Sequence, residues 1–519
     1  MNGRIPNIEA CYRDTGVTRY AGNPLIDALP PIWSPDDAEK LLIWKPPLPT
    51  AEDLKKPAYL RIHEVPELRR FVHALPEYRM YQSIVSILIR DGLITRNPML
   101  VSTEQYLHAI NREESDGLEP PEPLQHRASG IIFSGLSGLG KSTFIDRILA
   151  SYPPCIQHTE YEGRKFQQLQ IVWLKISCPH DGSLKGLVQR FFAAVDLVLG
   201  TRYAKDYFPK AGRSPSLPTL LGEMRRIAAN YFLCVLVIDE LQNLNRRKTQ
   251  GDEGMLEFLG NLVDEIGVPV ITIGTPAITK LFKAEMRNPR RMASMGYYEF
   301  QRPGPDDPQW REFCEEMWKY LWVDPPVCLT DSLRHRFYEH TQGITSLAIV
   351  LFVLAQFRCL LENVALDEDL LDELAFFELA PVQRALKALR SGEPGTNSDF
   401  DDLLPAAGWT DELFDPSAAA DRAASGKNPQ PTNPRSPSAS TPTPLKGKSP
   451  PTADPKDLRN LGGNVADAHL RLREQGLTPT NIFNLADSKK VSDSGVVGKQ
   501  GAVIAPLKKK SERKTEKPS

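Results

Sequence analysis

The sequence is short of paired cysteines, of long apolar runs and of any surplus of one charge. Its seven cysteines (Cys11, Cys155, Cys178, Cys234, Cys314, Cys328 and Cys359) stand singly, their number is odd, no CxxC pair occurs and no histidine cluster accompanies them. That pattern argues against a structural zinc site and a disulfide framework, and it fits a reducing, cytoplasmic setting. The opening MNGRIPNIEACYRDTG lacks an apolar leader core. No stretch approaches the roughly 18 uncharged apolar residues that a membrane span needs, so no membrane contact is expected. The nearest, Ser346 to Phe357, reads as a buried helix. A net charge of −2 gives no whole-molecule attraction to nucleic acid, so any DNA or RNA contact must come from a local basic surface.

What is present divides into regimes. The 519 residues suggest more than one folded unit or a domain with long appendages, and 41% hydrophobic residues suffice for a sizeable core. Residues 1–125 read as a proline-punctuated extension suited to partner binding, with a helix in EYRMYQSIVSILIRDG that carries Tyr81, Ile84, Ile87 and Leu88 on one stripe and stops at Gly92. EPPEP at 119–123 reads as a linker. Residues 126–303 alternate short apolar runs with helical patterns, the mark of an α/β fold with a parallel sheet covered by helices. The expected strands are 130–134, 171–177, 233–238, 268–273 and 297–300. Residues 304–390 read as a small helical region. From Asp415 to Pro455 there are ten prolines and no aromatic residue, so 391–460 is expected to be a disordered linker. The last segment, 461–519, offers a short apolar island and a tail, Lys508 to Ser519, with six Lys/Arg against two Glu. It reads as a partner-binding motif.

Chemistry is concentrated at four places. Gly135, Leu136, Ser137, Gly138, Leu139, Gly140, Lys141 and Ser142 match G-x-x-x-x-G-K-[ST], preceded by the apolar GIIFS and followed by Thr143 and a helical pattern. Glycines let the backbone wrap phosphates, successive amides and the helix N-terminus attract the anion, Lys141 reaches the outer phosphates and Ser142 offers a hydroxyl to Mg2+. The expected ligand is ATP. LCVLVIDE then ends a buried run in Asp239 and Glu240, where the first carboxylate orients the metal and the second activates water; a solvated strand end is the bland reading. VPVITIGTP can aim the Thr275 hydroxyl between those two motifs, or can be a plain buried strand and turn. RNPRRM places Arg290 and Arg291 before a strand, where one of them, Arg291 before Arg290, can reach a neighbouring subunit's phosphate; surface arginines are otherwise common.

With these motifs in this order, the sequence resembles an AAA+ P-loop NTPase: a five-stranded parallel sheet flanked by helices, a small helical region, an N-terminal extension and a disordered C-terminal tail. The phrases LVIDELQNL, VITIGTPA, the late Arg290-Arg291 pair and IRDGLITRNP look like the TnsC/TniB-type ATPases that regulate DNA transposition. The resemblance spans about residues 75–380. It implies ATP hydrolysis with Mg2+, homo-oligomers as rings or helical filaments on duplex DNA, largely sequence-independent DNA contact, and partners comprising transposase subunits and a target-selection protein. It also places Lys185, Thr201 and Arg202 at DNA-facing positions, where they would meet phosphates. TQGITSL, Thr341 to Leu347, departs from the wider pattern, because many AAA+ members carry an arginine there that contacts nucleotide and this chain has none. A signalling or scaffold ATPase, or a helicase- or initiator-loading ATPase, is the alternative.

Overall fold

Short Val, Ile and Leu runs become strands in the computed structural model, which describes residues 8–112, 129–209, 214–246, 268–278 and 292–391. Among these residues the strands are β1 (Ile8–Glu9), β2 (Gly130–Gly135), β3 (Cys155–Tyr161), β4 (Arg164–Ile171), β5 (Trp173–Ser177), β6 (Val235–Asp239), β7 (Val270–Gly274) and β8 (Tyr297–Phe300). Five of them form a wholly parallel sheet in the order β5–β6–β7–β2–β8. All five expected strands are present within a few residues of their anticipated bounds, and β2 lies near the middle with every residue buried. Strands buried on both faces are read from sequence as unbroken apolar runs, which is why they were legible.

The expected strand at 171–177 is really two elements, because Ile171 closes β4 and Trp173 opens β5. β3 and β4 form an antiparallel hairpin that sequence reasoning missed, and β1 adds to its edge. Its turn, Glu162-Gly163, has φ of +48° and +75°, as a tight two-residue hairpin requires.

The helices used below are α1 (Pro35–Leu42), α2 (Glu77–Ile94), α3 (Val101–Asn111), α4 (Lys141–Ala150), α5 (Leu184–Leu199), α6 (Leu217–Asn230), α7 (Pro308–Trp318), α8 (Asp331–Thr341) and α9 (Thr345–Glu362). Phe191, Phe192, Leu220 and Met224 of α5 and α6 pack with Leu174, Ile176, Leu236 and Ile238 in one core layer. An aromatic cluster forms another layer. Tyr81 lies 5.4 Å from Phe133 of β2, 5.5 Å from Phe300 of β8 and 5.9 Å from Phe144 of α4, ring centre to ring centre. Each such pair adds about 0.5–1.5 kcal/mol to the burial of its area.

The helix α2 departs from the sequence reading. It runs through Gly92 to Ile94, its buried residues include Tyr78, Tyr81, Val85, Leu88 and Ile89, and Ile87 is 42% exposed. Gly92 is there for close approach, since a Cβ would sit 2.6 Å from Cδ of Pro269. The N-terminal residues are woven into this unit. Leu25 and Ile26 are fully buried. Arg147 of α4 donates to the carbonyls of Leu41, Leu42 and Ile43 at 2.8, 3.3 and 3.1 Å. Lys45 pairs with Glu316 at 2.7 Å and Arg61 donates to the Trp322 carbonyl at 2.6 Å, which ties the same segment to the helical region.

The helix α9 is longer than the expected Ser346–Phe357 and corrects the statement on apolar runs. By length and composition it could cross a membrane, but half of its apolar window is buried within the protein. Of the described residues, 8–372 and 384–391 belong to this unit, and 373–383 belong to a second, in which Gln383 donates to the Ala375 carbonyl at 2.8 Å. The linker at 119–123, the proline-rich segment and the basic tail lie outside the described residues.

Candidate nucleotide site

The buried strand β2 ends at Gly135 and α4 begins at Lys141, so Leu136 to Gly140 form the connecting loop at the carboxyl edge of the sheet. The first-turn amides of α4 have no partner four residues back and remain for an anion. Phe144 takes the Gly140 carbonyl at 2.8 Å and starts the helical ladder. Gly138 has φ of +87°, and a Cβ there would lie 2.9 Å from Cγ2 of Ile344 and closer still to the Ser346 hydroxyl. The Ser346 amide also donates to the Gly138 carbonyl at 3.0 Å. The start of α9 therefore rests directly on the loop, and only glycine permits it.

Lys141 is 7% exposed, and its ammonium donates to the carbonyls of Gly135 and Leu136 at 2.7 and 2.8 Å. Burial pulls its pKa down to about 8, against the opposing pull of Glu240 and Asp239. The lysine thus braces the loop into a cradle while its charge is poorly solvated, a state that an incoming anion would relieve.

β6 runs beside β7, and its buried end carries Asp239, whose carboxylate accepts from the Glu240 amide at 2.9 Å and pairs with Lys175 of β5 at 3.2 Å. Glu240 follows with φ of +57°, a backbone geometry that costs a non-glycine residue about 1–3 kcal/mol and clusters at functional sites. Gln242 was missed by sequence reasoning. Its amide nitrogen donates to the Glu240 carboxylate while its oxygen accepts from the Thr275 amide at 3.1 Å. It thus links the end of β6 to the turn after β7, and both Gln242 and Thr275 are buried.

One cleft of about 470 Å³ gathers these pieces. Ser137 to Thr143, Asp239, Glu240, Gln242 and Thr275 line it, so the three motifs separated in sequence meet in space. The remaining wall was not foreseen. Arg69 to His73, Leu75 and Tyr78 come from the N-terminal segment, and Thr345, Ser346, Ile349 and Val350 come from α9. The His73 Nδ1 is buried without a hydrogen-bond partner, and burial lowers that imidazole's pKa against the opposing pull of Glu312. The residues present fit a nucleotide: a loop braced open, orphan amides and a buried ammonium suit a phosphate tail, and Phe71, Val72, Ile349 and Val350 offer apolar surface to a base. Among the described residues no group of three or more His, Cys, Asp or Glu could hold a metal. Ser142 and Asp239 would hold Mg2+ only together with phosphate oxygens and water, the usual arrangement for that ion.

The other sequence candidates fall elsewhere. Lys185 and Arg202 are exposed. The Lys185 ammonium lies 6.0 Å from the Phe208 ring, just past the short helix Tyr203–Tyr207 that Arg202 precedes. Thr201 donates to Asp196 at 2.6 Å, and the same carboxylate receives the amides of Tyr203 and Ala204. Arg290 and Arg291 lie outside the described residues.

Comparison with known proteins gives a match of residues 124–282 to the AAA domain family. Among solved structures the chain is similar to the Walker-type ATPase of Pyrococcus abyssi, at 15% identity and a TM-score of 0.32 over 55% of this chain and 75% of that one. It is similar also to the Orc1 protein of Aeropyrum pernix in complex with DNA (15%, 0.35, 63% and 70%). A third is the RuvB Holliday junction branch migration motor of Thermotoga maritima (14%, 0.26, 51% and 67%). No curated protein matches the sequence.

Proposed function

From an AAA domain on a five-stranded AAA+ P-loop sheet, we propose that the chain is an ATP-dependent, DNA-binding regulator of transposition. It oligomerises on target duplex DNA and links a target-selection protein to transposase subunits. The observation that carries the ATPase reading is the convergence of Lys141, Asp239-Glu240 and Gln242-Thr275 on one cleft. Bound ATP supplies the phosphoanhydride whose cleavage resets the assembly, and Ser142 and Asp239 would hold Mg2+, which would supply charge neutralisation at the phosphates. Lys141 and the α4 amides hold the phosphate tail, and Glu240 accepts the proton of the attacking water. Gln242 orients that carboxylate and couples it to Thr275. Arg291 or Arg290 of a neighbouring subunit completes the charge around the outer phosphate, which makes hydrolysis depend on assembly.

The DNA and transposition parts of this reading rest on the words LVIDELQNL, VITIGTPA and IRDGLITRNP and on the exposed Lys185 and Arg202. Neutralising phosphates in this way gives sequence-tolerant, salt-sensitive binding. The test is sedimentation and negative-stain imaging of the full chain with a non-hydrolysable ATP analogue, plain duplex DNA, both, or neither. Filaments or rings that require both ligands support the reading. Assembly driven by nucleotide alone, with DNA left in the supernatant, would replace it with a scaffold ATPase.

A further inference from the structure

The starting observation is the charge of the cleft. Lys141 faces two carboxylates, Asp239 and Glu240, and Lys175 already pairs with Asp239 at 3.2 Å, so this side of the site carries no surplus of positive charge. A nucleoside triphosphate brings several more negative charges. The wall from α9 contributes Thr345, Ser346, Ile349 and Val350 and no cation. The only other Lys, Arg, Asp or Glu side chains among the described lining residues are Arg69 and Arg70, at the end of the short 3-10 helix Val65–Arg70.

These two arginines are differently occupied. Arg70 pairs with Glu67 at 3.0 Å, and its guanidinium lies 4.9 Å from the Trp44 ring centre. Arg69 is exposed and makes no ion pair or ring contact with a described residue. The support beneath it is fixed. Trp44 and Val72 exchange both backbone hydrogen bonds, at 3.1 and 2.8 Å, and the Phe71 ring packs on Phe313 and Tyr320. A guanidinium on a rigid base, exposed at the wall of this cleft and without an ion pair of its own, has an anion as its natural partner.

We propose that Arg69 is a phosphate-directed specificity residue of this cleft, supplied by the N-terminal segment where the start of α9 supplies no cation. The proposal rests on the reading that the cleft takes a nucleoside triphosphate. Arg70 stays with Glu67 and Trp44 and holds the turn in place. Because the cation comes from a segment that also binds α9 and α4, occupation of the cleft by ATP would be felt along the N-terminal residues.

The test is competition of AMP, ADP and ATP against a fluorescent nucleotide, with Mg2+, on the full chain and on Arg69→Ala, Arg69→Lys, Arg70→Ala and Lys141→Ala. Arg69→Ala is expected to weaken ATP about tenfold or more, the worth of one charge-assisted contact, with a smaller loss for ADP and least for AMP. Arg69→Lys should recover part of that loss, and the melting temperature without nucleotide should not move. Equal losses for all three nucleotides, or none, would overturn the proposal. If Lys141→Ala binds ATP as well as the parent chain, the nucleotide reading itself has failed, whatever Arg69 does.

Discussion

The ammonium of Lys175 lies 3.2 Å from Asp239 and 2.6 Å from Asp146, so a tethered cation faces the carboxylate assigned to the metal. Lys175 sits on β5 in the register position next to Val237, one pleat behind Ser177 and Asp239, and its side chain is only 20% exposed. A positive charge so placed lowers the attraction of Asp239 for a second cation. Lys175→Met should therefore reduce the Mg2+ concentration that half-saturates ATP binding by about three- to tenfold, up to one unit of electrostatic perturbation. A Mg2+ titration at fixed nucleotide reads it, and a higher requirement in the variant would mean that Lys175 positions Asp239.

ATP binding should depend on pH through Lys141. Its pKa is about 8, below the usual lysine value, chiefly because the ammonium is buried. Phosphate favours the charged form, so binding takes up a proton above that pH and weakens as pH rises through it. Between pH 7 and 9 the loss should approach about tenfold, the limit for one proton over one unit beyond the pKa. The lowered pKa has the opposite sign for folding, since stability without ligand should rise from about pH 8 toward the unfolded lysine value. Calorimetry in buffers of different ionisation heat measures the proton uptake; ATP binding that takes up no proton at pH 9 would contradict this assignment to Lys141.

Gly138→Ala should cost about 1–3 kcal/mol of stability, because the new methyl meets Ile344 and Ser346 and the backbone is left-handed. Gly222→Ala is the opposite case: it lies inside α6 with nothing within 4 Å of a new Cβ, and should stabilise by about 0.5–1 kcal/mol. Chemical denaturation of both variants checks the two signs.

Gln242→Leu keeps the side chain's size and removes its link between Glu240 and Thr275. Hydrolysis should fall about tenfold or more, with ATP affinity within twofold of the parent, as expected when a catalytic carboxylate loses its orientation. A matching loss of ATP affinity would give Gln242 a binding role.

The fold and half of the site could be read from the sequence because their signals are local. GLSGLGKS fixes a strand, a loop and a helix in one phrase, and Asp239-Glu240 and Thr275 end runs that are apolar because both faces of the sheet are covered. The misreading of Gly92 has a physical cause: the same residue marks a helix end and a close approach, and only the distant Pro269 tells which. Gln242 reads as a solvated polar residue until Thr275, far along the chain, is brought beside it. The wall of Arg69 to Leu75 leaves no periodic trace, since its partners on the loop and on α9 are remote in sequence. The β3–β4 hairpin was hidden by its polar face, although Glu162-Gly163 carried a turn signal.

The most direct measurement of the central claim is the lifetime of the protein on a labelled duplex after ATP is diluted, for the parent chain and for Glu240→Gln. The Glu240 carboxylate borders the cleft and is held by Gln242, so its amide should leave ATP bound and stop its cleavage. The account predicts that the variant stays on DNA about ten times longer or more, with Lys141→Ala failing to load. Equal lifetimes for the parent chain and Glu240→Gln, with hydrolysis abolished in the variant, would contradict it.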